Sequence, residues 1–160
     1  MYLPQTDLKR LLAYSTITQL SYIFIGISLA ALGSKLAFVA AISYIFNHAF
    51  AKSLFFLVAG SLSYATGTRS MPLLQGIMRT MPFTAVLFAG GALALGGMPP
   101  FGMFTSEFAI AVAGIYAGKT WLIILCLIFL TIALAGLTTM LLKTVLGQPK
   151  EGIEVGELNK

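Results

Sequence analysis

The stretch ALALGGMPPFGMFTSEFAIAVAG, residues 92–114, says most about the architecture of this chain. It lies inside an apolar run from Phe83 to about Tyr116, too long for one straight helix across roughly 30 Å of hydrocarbon. Pro99 and Pro100 each remove a backbone donor and clash with the preceding turn. Pro99 also disfavours helix at Met98. The spacing therefore predicts a helix that breaks over Gly96–Gly102, with Pro99, Pro100 and Gly102 marking the break. Backbone groups freed inside a bilayer persist only where protein or water satisfies them. Glu107 follows about two turns later. An ionisable group at the bilayer centre costs at least ~2.5–3.5 kcal/mol, and a broken helix beside a buried acid is how transporters build ion sites.

Working outward, the composition is that of an integral membrane protein. Of 160 residues, 58% are hydrophobic and 9% charged, against roughly 25% charged in soluble domains. Mean hydropathy is +0.93. A soluble enzyme and a nucleic-acid partner are excluded on this ground. An all-α, polytopic bundle of about four spans is expected, over residues 11–33, 36–65, 83–116 and 120–146, each about 20 apolar residues or longer. Residues 1–147 form the transmembrane module, and residues 148–160 a polar tail on the cytoplasmic side. Gly33-Ser34-Lys35 and Gly118-Lys119 read as tight turns. Residues 66–81, TGTRSMPLLQGIMRTM, form a longer loop with room for a short interfacial helix. No secretory signal is visible, since Asp7 lies in the first ten residues and the apolar run after it is too long.

Charge placement sets an orientation. Lys9, Arg10, Arg69, Arg79, Lys143, Lys150 and Lys160 flank the spans on one side, Lys35 and Lys119 on the other. The positive-inside rule puts both termini in the cytoplasm, in the inner (plasma) membrane of a bacterium or archaeon. Trp121 reads as an interface anchor beside Lys119. The formal net charge of +5 matters less than this asymmetry.

Few residues inside the spans carry chemistry. His48 and Lys52 are four apart and share a helix face, flanked by Tyr44, Asn47 and Ser53. Burial makes the lysine's charge costly, which suits it to load and release a proton, and histidine titrates near neutrality unaided. Ser15, Gln19 and Tyr22, with Thr18 beside them, form a polar stripe on the first span, either to order water or to glue helices together. Packed face to face, acid, base and stripe would make a lateral polar row across the midplane. Gly26, Gly33, Gly60, Gly90, Gly91, Gly96 and Gly97 suit close helix approach. Thr138 and Thr139 point to the cytoplasmic end of the fourth span, where Lys143 snorkels. The single cysteine, Cys126, makes neither an intrachain disulfide nor a metal site and reads as filler. With one His, no CxxC pair and no Gly-rich phosphate loop, no cofactor, metal or catalytic set is expected.

DLKRLLAYSTITQLSYIFIGI (residues 7–27), NHAFAKSLFFLVAGSL (47–62) and GMPPFGMFTSEF (97–108), in this order, resemble the antiporter-like proton-translocating membrane subunits. These occur in respiratory complex I (NADH-quinone oxidoreductase), in group 4 membrane-bound hydrogenases such as hydrogenase-4 and formate hydrogenlyase, and in Mrp-type sodium/proton antiporters. The family has about fourteen transmembrane helices with two inverted repeats, each holding one broken helix. The resemblance implies that this chain is most of the second repeat. It implies that Lys52 is the central lysine, His48 the histidine one turn before it, and Glu107 the acid of the broken helix that exchanges protons with the outer side. Gln19 stands where some members have His and others Gln. Glu rather than Lys in the broken helix is closer to hydrogenase-type subunits.

The function expected is proton translocation within a redox-driven complex, of hydrogenase or NADH:quinone oxidoreductase type. A relay of Ser15, Gln19, His48, Lys52, Glu107 and water would carry the proton, and electron transfer elsewhere would act on the lysine through nearby charges and water. The chain would be a non-catalytic subunit without cofactor. Its partners would be lipid, other membrane subunits and a chain carrying the missing first repeat. Two alternatives stand beside this one: an Mrp-type Na⁺/H⁺ antiporter module, and a non-conducting structural fragment.

Overall fold

A computed structural model describes residues 7–148, so the tail expected from Pro149 onward, with Lys150 and Lys160, lies outside the described residues. The chain folds as a polytopic bundle of α-helices: α1 Leu8–Ala31, α2 Lys35–Thr66, a single turn α3 Ile77–Thr80, α4 Pro82–Leu95, α5 Gly102–Tyr116 and α6 Thr120–Leu146. Three of them, α1, α2 and α6, are long and apolar enough to cross a bilayer. At 1.5 Å per residue, α4 and α5 are each only about 21–23 Å long. They follow one another in series across the predicted break and together supply the length of one span.

Local chemistry sets the ends. Asp7 caps α1, its Oδ1 accepting from the Lys9 and Arg10 backbone N–H groups at 2.8 and 3.0 Å, which starts the helix three residues before the first span expected from hydropathy. Ser34 caps α2 through the Ala37 N–H. In the 66–81 loop the interfacial helix is the one turn α3. The loop is tied to α1 by the Leu8 N–H donating to the Arg69 carbonyl at 3.1 Å. At the far end of the chain, a Cβ on Gly147 would lie 3.1 Å from Gln75 Cβ. Lys9, Arg10, Arg69, Arg79 and Lys143 therefore gather toward one end of the bundle.

Helix α2 is central and packs on α1, α4 and α5, while α6 closes the outside against α4 and α5. Tyr44, Phe55, Phe88, Leu95 and Ile110 are fully buried, and the Phe55 and Phe88 rings meet at 4.7 Å between centroids. Gly91 lets α4 approach Phe55, whose ring edge would be 3.1 Å from an added Cβ. Gly26 and Gly96 are also contact glycines. Gly33, Gly60 and Gly90 are not, since nothing lies within 4 Å of a Cβ there. Gly33 ends α1, and the other two face outward. Phe24, Phe38, Phe46, Phe50, Leu57, Phe83, Phe108 and Phe129 are exposed. Helices apolar on all sides suit a membrane or a larger helical assembly rather than water.

Candidate functional site: two polar clusters on one face of helix α2

The antiparallel pairing of α1 and α2 sets Ser15 opposite Lys52. Lys52 is only 7% exposed, and its Nζ donates to the Leu12 carbonyl at 2.6 Å and to Ser15 Oγ. Ser15 in turn donates to the same carbonyl at 2.8 Å. The Phe56 ring centroid lies 5.7 Å from Nζ, within reach of a cation–π attraction. The ammonium is thus held by neutral oxygens and a ring, which stabilise its charge while leaving it free to be discharged.

Glu107 anchors the second cluster and is 6% exposed. Its Oε1 lies 2.8 Å from the Tyr44 hydroxyl of α2. Tyr44 also donates to Gln19 Oε1 on α1. Gln19 Nε2 donates to the Leu95 carbonyl at 2.8 Å. That bond follows from the break. Inside a helix the Leu95 carbonyl would receive the N–H four residues on, and residue 99 is a proline with none. The α1 amide supplies the missing donor. Tyr22 donates to the Glu107 backbone carbonyl at 3.2 Å, and its ring centroid lies 5.9 Å from that of Tyr44.

The break occupies residues 96–101 and begins as a Schellman C-cap. The Gly97 N–H donates to the Ala94 carbonyl and the Met98 N–H to the Leu93 carbonyl, at 3.2 and 3.1 Å. Gly97 has φ +67, the left-handed conformation that glycine adopts without a Cβ penalty. The same device ends α1 at Gly33 and α5 at Gly118, so a surface stop signal here works inside the bundle. Gly97 has a second role: a Cβ there would fall on the Glu107 carboxyl group. Likewise a Cβ on Gly102 would come within 2.6 Å of Asn47 Oδ1. Asn47 Nδ2 donates to Ser106 Oγ at 3.2 Å, and Ser106 to the Gly102 carbonyl at 3.0 Å. Both glycines let side chains sit on the backbone of the discontinuous helix.

Of the site residues expected from sequence, Lys52 and Ser15 come together, and Glu107 reaches Gln19 through Tyr44. His48 lies on α2 midway between the two clusters, 9% exposed. Its Nδ1 is the one buried side-chain nitrogen or oxygen without a hydrogen-bond partner among the described residues. Tyr44 and Lys52 are eight positions apart, roughly 12 Å of helix rise, so the polar row also runs along the α2 axis and not only between helices. Ser53 faces outward. Thr139 bonds only its own helix, to the Ala135 carbonyl, and Lys143 is exposed. Sequence reasoning placed Tyr44 merely beside the site, although it is the junction of the second cluster. The signal was its position four before His48 and eight before Lys52, on the same helical face.

The fold and site together define an integral membrane helical bundle built around a discontinuous helix, with buried ionisable groups facing one central helix. The chain belongs to the NADH:quinone oxidoreductase/Mrp antiporter transmembrane family, which matches residues 1–142. It is 35% identical over 128 residues to NADH-quinone oxidoreductase subunit N of Desulforudis audaxviator, covering 80% of this chain and 25% of that protein. It is 42% identical over 110 residues to F(420)H(2) dehydrogenase subunit L of Methanosarcina mazei, covering 68% and 16%. With a protein of the Na(+)/H(+) antiporter of Alkalihalophilus pseudofirmus it shares 37% identity over 109 residues, covering 68% and 22%. Among solved structures, the Mrp complex from Dietzia sp. DQ12-45-1b contains a chain that superposes with a TM-score of 0.85 at 26% identity, over 93% of this chain and 27% of that one. The chain thus spans about a quarter or less of the length of these relatives.

Proposed function

We propose that this chain carries protons across a membrane as one segment of an antiporter-like subunit in a redox-driven complex. The observation that carries the reading is the arrangement on α2. A buried ammonium at one end of its polar face and a buried carboxyl group at the other are both held by neutral partners, and His48 stands between them with a free ring nitrogen. An unpartnered buried polar atom costs about 1–3 kcal/mol, and accepting a proton in transit is a reason to retain one. Lys52, His48 and Glu107 are the titrating members of the path. Ser15 and Gln19 hold Lys52 and the broken helix in place, and water bridges the roughly 12 Å between clusters.

The family relation supports NADH:quinone oxidoreductase-type or F(420)H(2) dehydrogenase-type complexes as the setting, and the glutamate of the broken helix suggests a hydrogenase-type one. Partners are then other membrane subunits and a chain bearing the companion repeat, with residues 1–147 acting as a half-module. The gathering of five basic residues toward one bundle end supports both termini facing the cytoplasm of a bacterial or archaeal cell. A second reading, a module of an Mrp-type Na⁺/H⁺ antiporter, is favoured by the likeness to the Mrp complex structure.

The test is proton flux in membrane vesicles holding the assembled complex. Glu107→Gln is expected to abolish or strongly reduce flux without loss of assembly. Unchanged flux in that variant would remove Glu107 from the path, and unchanged flux in Lys52→Ala as well would leave only a structural role. Flux that requires sodium would establish the antiporter reading instead.

A further inference from the structure

We propose that Tyr44 is a positioning residue that couples the protonation of Glu107 to the broken end of α4, acting through Gln19. The proposal rests on the proton-carrying reading of Glu107 and adds to it a residue and a consequence. It follows from counting protons along one hydrogen-bonded chain.

The chain starts at the Leu95 carbonyl, which Pro99 deprives of its helical donor. Gln19 Nε2 fills that place at 2.8 Å. The amide is thereby oriented, and Gln19 presents its oxygen, an acceptor only, to Tyr44. Tyr44 has a single hydroxyl proton and two acceptor neighbours, Gln19 Oε1 and Glu107 Oε1. With that proton on Gln19, the Tyr44 oxygen is left to accept. Glu107 makes the 2.8 Å contact as a hydrogen bond only by donating a proton of its own. The satisfied chain therefore runs from the Glu107 carboxylic acid to Tyr44, from Tyr44 to Gln19, and from Gln19 to Leu95.

When Glu107 gives its proton to water, the order cannot persist. The carboxylate becomes an acceptor, and the Tyr44 O–H turns about its C–O bond to donate to it. A charge-assisted bond of this kind is roughly twice as strong as a neutral one. No further proton is transferred in this step. Gln19 Oε1 then faces the lone pairs of Tyr44. Turning the side chain away removes the repulsion, and flipping the amide does so by pointing its oxygen at the Leu95 carbonyl. Either movement takes the donor from Leu95. A cavity of about 10 Å³ lined by Gln19, Leu95, Gly96 and residues of α6 adjoins this carbonyl, the size at which a single water begins to fit. The end of α4 is thus capped from α1 while Glu107 is protonated, and is released to water when Glu107 is ionised.

The groups facing Glu107 from the surrounding elements are consistent with such a device. Tyr44 comes from α2 and Tyr22 from α1, the latter bound to the Glu107 backbone carbonyl. The break contributes the backbone at Gly97, and Cys126 of α6 lies on the far side of Tyr22, where both line one groove. Lys52 and His48 lie farther along α2. Tyr44 is therefore the one titratable side chain bonded to the carboxyl group among the described residues.

Infrared difference spectra of the assembled complex, recorded as pH is stepped and with glutamine carrying ¹³C at its amide carbonyl, test this. In the wild type, loss of the Glu107 carboxylic-acid band, assigned by its absence in Glu107→Gln, is expected to be accompanied by a shift of a glutamine amide band that is absent in Gln19→Leu. In Tyr44→Phe the acid band should persist and move to higher frequency, having lost its acceptor, while the amide shift disappears. An amide shift that survives in Tyr44→Phe would overturn the proposal. So would a wild-type acid band that titrates with no amide shift, or the absence of any titrating Glu107 band. If Tyr44→Phe does not assemble, the wild-type spectrum still decides, since the two bands must move together. Coupled bands alongside proton flux indifferent to Glu107 would sink the transport reading and leave the coupling standing.

Discussion

Alanine at position 97 tests the closest contact in the site. Its Cβ would lie 2.8 Å from Glu107 Cδ and 2.9 Å from Oε1, with Oε2 nearer still. Two costs follow. An L-residue held at φ +67 loses about 1–2 kcal/mol. Glu107 must also swing off Gly97, which breaks its bond to Tyr44 and costs about 1–3 kcal/mol more. Gly97→Ala should therefore destabilise by about 2–5 kcal/mol in total. The two terms separate in a double-mutant cycle. In a Glu107→Ala background the clash is gone and only the backbone term remains, so the coupling energy should be about 1–3 kcal/mol. The assay is unfolding of the purified assembled complex in detergent, following this chain in all four proteins. Proton flux in vesicles should fall in Gly97→Ala toward the level of Glu107→Gln. A Gly97→Ala penalty that is the same with and without the glutamate would show this account to be wrong, because the carboxyl group would then not rest on the glycine.

Lys52→Met should eliminate flux with a stability change below about 1.5 kcal/mol, since Ser15 already donates to the Leu12 carbonyl and neither oxygen is orphaned; detergent unfolding beside vesicle flux checks both halves. Gln19→Leu strips the Leu95 carbonyl of its donor and should cost about 1–3 kcal/mol, read as faster hydrogen exchange at the end of α4. His48→Leu removes a buried ring nitrogen without a partner, so it should leave stability equal or higher while lowering flux, and a loss of stability would mean that Nδ1 is satisfied after all. Gly102→Ala should lower the unfolding midpoint by displacing Asn47 from Ser106, and Asn47→Ala should relieve most of that loss.

Much of the frame was legible because it rests on local physics. The cost of placing charge in hydrocarbon marked Lys52 and Glu107 as exceptional, and two successive prolines put the interruption at residues 96–102, where α4 ends at Leu95 and α5 begins at Gly102. The start of α1 was set too late because hydropathy does not register a cap, whereas Asp7 supplies acceptors that carry the helix back to Leu8. The glycines were harder to sort. Gly60 and Gly90 look in sequence like Gly91, yet only Gly91 has a neighbour against it, because which face of a helix turns inward depends on the helices around it.

Residue order alone was enough to establish the class of protein, the number and approximate extent of its apolar segments, the place of the break, and which residues inside them can hold a proton. Periodicity, proline chemistry and transfer cost act within a few residues, so they can be read along the chain. The partnerships came from the packed bundle. Lys52 meets Ser15, Gln19 substitutes for the donor that Pro99 lacks, and Tyr44 shares one hydroxyl proton between Gln19 and Glu107. Those pairings span 37, 76, 25 and 63 positions. They depend on the register of α1 against α2 and on the rotation of α5 about its own axis, which are set by the packing of whole helices.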